Sequence, residues 1–140
     1  MSTVAALRAA SIVAALQGVA HATMFLRARP THGPTESAVV DAMRSQAFDF
    51  AGSMRSYWDM YFGYGLMSAL VVIVEAVLLW QLANGAGQAP GLVRSVTVVL
   101  LIYTLGHAAL AARYFFVTPI VLDLIVAGCL VAALLAPARS

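Results

Sequence analysis

The sequence predicts an all-α polytopic membrane protein: an up-and-down four-transmembrane-helix bundle, a single domain over residues 1–140, with an amphipathic helix in its first loop. Three observations carry that expectation. Of the 140 residues, 62% are hydrophobic and only 10% charged, whereas a soluble domain carries about 25% charged residues. Four apolar stretches each reach the roughly 20 residues that cross a hydrocarbon core. Short, breaker-rich turns separate three of them. Lipid offers a backbone no hydrogen-bond partners, so open-chain spans satisfy themselves as helices. The same composition excludes a disordered chain, which is poor in apolar residues. A disulfide scaffold is excluded because Cys129 is the only cysteine.

The first span runs from about Thr3 to Leu26, interrupted by Arg8, Gln17 and His21. Small residues recur on it every fourth position: Ala6, Ala10, Ala14, Gly18 and Ala22. That spacing lets helix backbones approach closely in lipid. The stripe is expected to make contact within the bundle or with a second copy of the chain, as a homo-oligomer. Arg8, the apolar stretch after it and Ala20-His21-Ala22 also imitate a cleavable leader, but Gln17 inside the would-be apolar core argues against one.

The first connection, residues 28–56, is long and opens with Arg29-Pro-Thr-His-Gly-Pro34, which breaks any helix. From about residue 35 to 50, Val40, Met43, Ala47 and Phe50 fall at helical spacing, with Glu36, Asp41, Arg44 and Ser45 on other faces. An amphipathic helix lying on the membrane or capping the bundle is expected.

The second span runs from about Tyr57 to Leu82 and contains Asp59 and Glu75. A turn over Asn84–Gly91 makes its successor an antiparallel neighbour. The third span covers about Leu92 to Phe116, with Arg94, His107 and Arg113. Tyr57, Trp58, Tyr61 and Phe62 open the second span and Tyr114, Phe115 and Phe116 close the third, so both clusters fall at one end of the bundle, as interfacial belts do. Thr118-Pro119 reads as an N-cap and a first-position proline. The fourth span follows, about Pro119 to Ala136, with Asp123 as its only charge.

Ionisable groups inside a span are costly and are functional candidates by default. His21 lies six residues before Arg27 and His107 six before Arg113. At about 1.5 Å per residue, both imidazoles then sit roughly 9 Å below one surface. Tyr64 and Asp123, counted inward on the returning helices, reach a similar level. Gln17 and Tyr103 each stand four residues from a histidine and share its helix face. Asp59, Tyr61 and Arg113 line the way to the surface.

Such a layer is expected to bind a small hydrophobic ligand, quinone-, sterol- or lipid-like, through its oxygens. Two neutral imidazoles, His21 and His107, also suit haem iron or another transition metal. The alternative is that these residues bond one another and fix helix register, in a non-catalytic structural or partner-binding protein. A third reading is a subunit of an oligomeric transporter. No HExxH, CxxC or phosphate-cradling glycine motif occurs, so no reaction is specified. Glu75 belongs to the other half of the bilayer and is expected to pair with Arg94, with a hydrogen bond from Thr97. Gln17, between the two polar levels, would link them.

The segment Phe48-Asp-Phe-Ala-Gly-Ser-Met-Arg-Ser-Tyr-Trp-Asp-Met-Tyr-Phe-Gly-Tyr-Gly65 resembles one found in small uncharacterised bacterial membrane proteins with four predicted helices, of the general size of DoxX-like proteins. The resemblance covers this segment and the helix count. It implies a bacterial four-helix membrane protein and carries no established activity, so it assigns no catalytic residue. Within it, Arg55 and Asp59 are four apart and would pair if the second helix began early.

All eight basic residues are arginine, and the net charge is +2. Spread along the chain, they make no nucleic-acid footprint. Most flank apolar runs, where a guanidinium reaches lipid headgroups, so membrane lipids are expected partners. Arg27, Arg29, Arg44, Arg55 and Arg113 share one side, against Arg8, Arg94, Arg139 and the terminal amine. The positive-inside rule then favours cytoplasmic first and third loops in a multi-pass protein of a bacterial inner membrane.

Overall fold

A computed structural model of the protein describes residues 1–27 and 29–137; Arg139, counted above, lies outside them. Its elements are α1 (Thr3–Leu26), α2 (Pro34–Ser45), β1 (Ala47–Phe50), β2 (Ser53–Ser56), α3 (Tyr57–Gly85), α4 (Pro90–Tyr114) and α5 (Val117–Leu135). Four of them, α1, α3, α4 and α5, are long and apolar enough to cross a membrane.

These four pack as an antiparallel bundle. α1 lies against both α3 and α5, α4 packs on α5, and α4 meets α3 only sparsely. Successive contacts show the direction of each pairing. Thr3 Oγ1 donates to the Ala133 carbonyl and Gln17 to Asp123, so α1 and α5 run oppositely. Ser11 Oγ donates to the Ala76 carbonyl at 2.7 Å, while Gly18 faces Ala69 and Ile73 further up. Arg94 Nη1 donates to the Leu134 carbonyl and His107 meets Asp123, which makes α4 and α5 antiparallel.

The small-residue stripe explains the closest of these contacts. Ala6, Ala10, Ala14 and Gly18 are buried in the single chain. A Cβ added at Gly18 would stand 2.7 Å from Ile73 Cγ1 and 3.2 Å from its backbone nitrogen. At these four positions the stripe is therefore occupied within the bundle. Leu7, Leu79 and Leu130 fill the centre with no exposed surface. Outward positions such as Leu70, Val77, Ile102 and Leu124 are equally apolar and exposed. A bundle greasy on its outside and polar at points within is the arrangement that lipid, not water, favours.

Three local expectations are corrected. α5 starts at Val117 with Phe116 as N-cap, so Pro119 stands third in the helix, not first. The first turn has no intrahelical N–H partners, so the proline fits there as well. The amphipathic helix ends at Ser45, and Ala47 and Phe50 belong to a hairpin. In it Ala47 pairs with Ser56 and Phe50 with Ser53. Ala51 (φ 52°) and Gly52 (φ 80°) form its two-residue turn in the left-handed region, as a twist-matched hairpin requires. Phe48 and Phe50 alternate at period two, and that short pattern prevails once Ser53–Ser56 can fold back on it.

The third correction concerns Asp59. It closes a capping box with Ser56: Ser56 Oγ accepts from the Asp59 N–H at 3.1 Å, and Asp59 Oδ2 accepts from the Ser56 N–H at 2.8 Å. Arg55 donates instead to the Met54 carbonyl. Across the loop, Glu36 Oε2 accepts the N–H groups of Thr31 and His32, which hold its carboxyl below the usual glutamate range and tie the entry to α2.

Candidate functional site

Asp123 is the hinge of a buried polar group. It lies on the inward face of α5 with Val126, Ala127 and Leu130, the i, i+3, i+4, i+7 pattern of a packed helix side. Its carboxylate is shared: Oδ1 accepts from Gln17 Nε2 at 3.0 Å, and Oδ2 meets His107 Nδ1 at 2.8 Å. Three helices, α1, α5 and α4, are thus joined through one side chain that is 4% exposed. The contact assigns His107 its tautomer, because a carboxylate accepts and Nδ1 must carry the hydrogen. Nε2 is left as the ring position available to a guest. The His107 side chain is 34% exposed, and Tyr103, one turn away, stacks on it with ring centroids 6.1 Å apart.

A second bond lies one turn further along α4. Thr104 Oγ1 donates to Glu75 Oε1 at 3.0 Å and also contacts the Leu100 carbonyl at 2.8 Å. Thr104 and His107 are three apart and share a face, so His107 sits beside the loosely packed seam between α3 and α4. The expected Glu75–Arg94 pair is not formed. Arg94 reaches the α5 end at Leu134, and Thr97 bonds its own helix at Val93. α3 runs to Gly85, three residues beyond the expected end, and this sets Glu75 deeper than Arg94 can follow.

The structure brings together His107, Asp123 and Gln17, with Tyr103 alongside and His21 a helix turn away, and it parts Tyr64, Tyr61, Arg113 and Asp59 from them. Tyr64 is 64% exposed on the outer face of α3. Its neighbour Gly65 takes the inward position, where Phe25 fills the notch: an added Cβ would lie 2.1 Å from the ring. His21 is half-buried one turn above Gln17, with its ring 5.0 Å from that of Phe25. Its Nε2 is buried without a hydrogen-bond partner among the described residues, so it is the second open nitrogen in the bundle. Tyr61 is exposed and packs on Phe25 and Trp58. Arg113 lies over the Tyr114 ring at 5.2 Å, out on the surface. Asp59 is committed to its helix cap.

Two members went unassigned from sequence: Thr104 as the partner of Glu75, and Ser11 as the donor that fixes α1 on α3. Both are hydroxyls on buried helix faces, and that position was the available signal. Among the described residues no three His, Cys, Asp or Glu side chains converge as a metal cage would need. Chemically, the group can hold one imidazole in a set orientation and offer Nε2 to a hydroxyl or, once protonated, to a carbonyl. No protein-family model, curated protein or solved structure matches the chain.

Proposed function

We propose that the chain is a multi-pass protein of a bacterial inner membrane that binds a small hydrophobic ligand, quinone-, sterol- or lipid-like, at His107. The observation that carries this reading is the shared carboxylate. Asp123 orients His107 through Nδ1 while Gln17 holds Asp123 in place. An imidazole fixed in this way costs a ligand oxygen little reorganisation when it binds at Nε2. The sparse α3–α4 contact beside it supplies a lateral approach from the bilayer, and Tyr103 adds a flat surface for a ring.

A second reading has its own support: Gln17 and Asp123 bond each other, and with Thr3 on the Ala133 carbonyl that pairing holds α1 against α5 without a ligand. One experiment separates the two. The purified protein is mixed with a short-chain ubiquinone and, separately, a sterol, and retention is measured by native mass spectrometry. In His107→Phe retention should fall at least tenfold, the ~1.4 kcal/mol of one lost hydrogen bond to a ligand, alongside a drop in melting temperature because Asp123 loses one of its two partners. Retention unaltered in His107→Phe, or no molecule held by the unmodified chain, would sink the ligand reading. A lowered melting temperature with unchanged retention would establish the structural one.

A further inference from the structure

At the end of the bundle where α3 begins, a shallow and widely open depression of about 310 Å³ lies against the hairpin. Arg44 of α2, Met54 and Arg55 of β2, and Ser56, Trp58 and Asp59 at the α3 start line it. None of these residues belongs to the His107 site. Two arginines and one carboxylate share this lining, and the carboxylate already accepts the Ser56 N–H. Arg44 lies over the Trp58 ring at 4.5 Å, a cation–π contact that steadies its plane. Arg55 spends one donor on the Met54 carbonyl and keeps the others. Among the described residues neither arginine stands within salt-bridge distance of a carboxylate.

Exposed apolar side chains ring this end of the bundle: Met54 of the lining is more than half exposed, and so are Phe50 and Tyr57 on the hairpin and at the α3 start, and Tyr114, Phe115 and Phe116 at the α4–α5 turn. A free anion would need the arginines and gain nothing from these side chains. A lipid uses both, because its phosphate suits a guanidinium fork and its glycerol and upper acyl carbons lie against aromatic residues at the interface. We infer that the depression binds the phosphate of an anionic phospholipid from the adjoining leaflet, with Arg44 and Arg55 as its ligands and Trp58 as the support of Arg44. The inference requires only that the four long helices cross a bilayer, and it is independent of any ligand at His107.

The test is competition on the full chain in mild detergent, with equimolar phosphatidylglycerol and phosphatidylcholine of identical acyl chains, read by native mass spectrometry. The unmodified protein should retain the anionic lipid preferentially. Arg44→Gln and Arg55→Gln should each lower that preference by roughly fivefold, the usual worth of one basic residue near an anionic surface, and together should erase it. Arg8→Gln, at the opposite end of the bundle, should leave it unchanged. Arg44→Lys with Arg55→Lys keeps charge and loses the planar fork, so an intermediate preference is expected. This pair carries the test should the glutamine variants fold poorly. Equal retention of the two lipids, an unchanged preference in the double glutamine variant, or displacement of the lipid by millimolar inorganic phosphate at constant ionic strength would each overturn the assignment.

Discussion

Helix α1 is held on its two sides by different means. Toward α3 the contact is mainly one of shape: alanines and Gly18 let the backbones close around the Ser11–Ala76 hydrogen bond, and Phe25 drops into the notch left by Gly65. Toward α5 it is a contact of matched groups, with Thr3 on the Ala133 carbonyl and Gln17 on Asp123. Lipid tails are as apolar as leucine, so burying apolar surface does little to hold either pair together. The first side therefore depends chiefly on nothing being added, Ser11 apart, and the second on nothing being taken away.

Substitutions that break each side should scale accordingly. The largest effect is expected for Gly65→Ala. Its methyl would enter the Phe25 ring, which is itself wedged among His21, Tyr61 and Phe62. A loss of about 1–3 kcal/mol in reversible unfolding is expected, as for overpacked cores. Adding Phe25→Leu to that variant should recover part of it; if the double variant is no more stable than Gly65→Ala, the notch is not what joins the helices. Next comes Asp123→Ala, which strands both Gln17 and His107 and should cost about 1–2 kcal/mol, toward the upper end for intramembrane hydrogen bonds. Asp123→Asn, which keeps an acceptor, should cost less in the same denaturation assay. Smallest is Thr104→Val at the α3–α4 seam. Removal of one hydroxyl from Glu75 should change unfolding by about 0.6 kcal/mol, and a larger loss would show that this seam is tighter than its packing suggests.

The spans and their antiparallel pairing were legible because hydropathy and breaker residues act locally. α1 came out at Thr3–Leu26 as expected, and the other three long helices within three residues at each end. The candidate site was legible in height and not in direction. Counting residues from a helix end gives depth, and depth correctly brought His107 level with Asp123. It also brought in Tyr64, which stands a single residue from the inward Gly65 and so points about 100° away. Glycine at 65 and alanine at 69 decide which face of α3 turns inward, and that signal outranks any polar side chain. The hairpin was hidden for another reason: Ala47 and Phe50 continue the helical spacing of Val40 and Met43, while the competing strand depends on Ala51-Gly52, a turn weaker in signature than Asn-Gly.

The bond between Gln17 and Asp123 spans 106 positions of the chain. A ribosome adding about 5–20 residues per second needs roughly 5–20 s to travel that distance. Throughout that interval α1 has its amide without its eventual acceptor, which only α5 delivers. The seating of α1 is therefore completed only after α5 is made. A nascent chain halted after α4 would hold a glutamine whose acceptor has not yet been made.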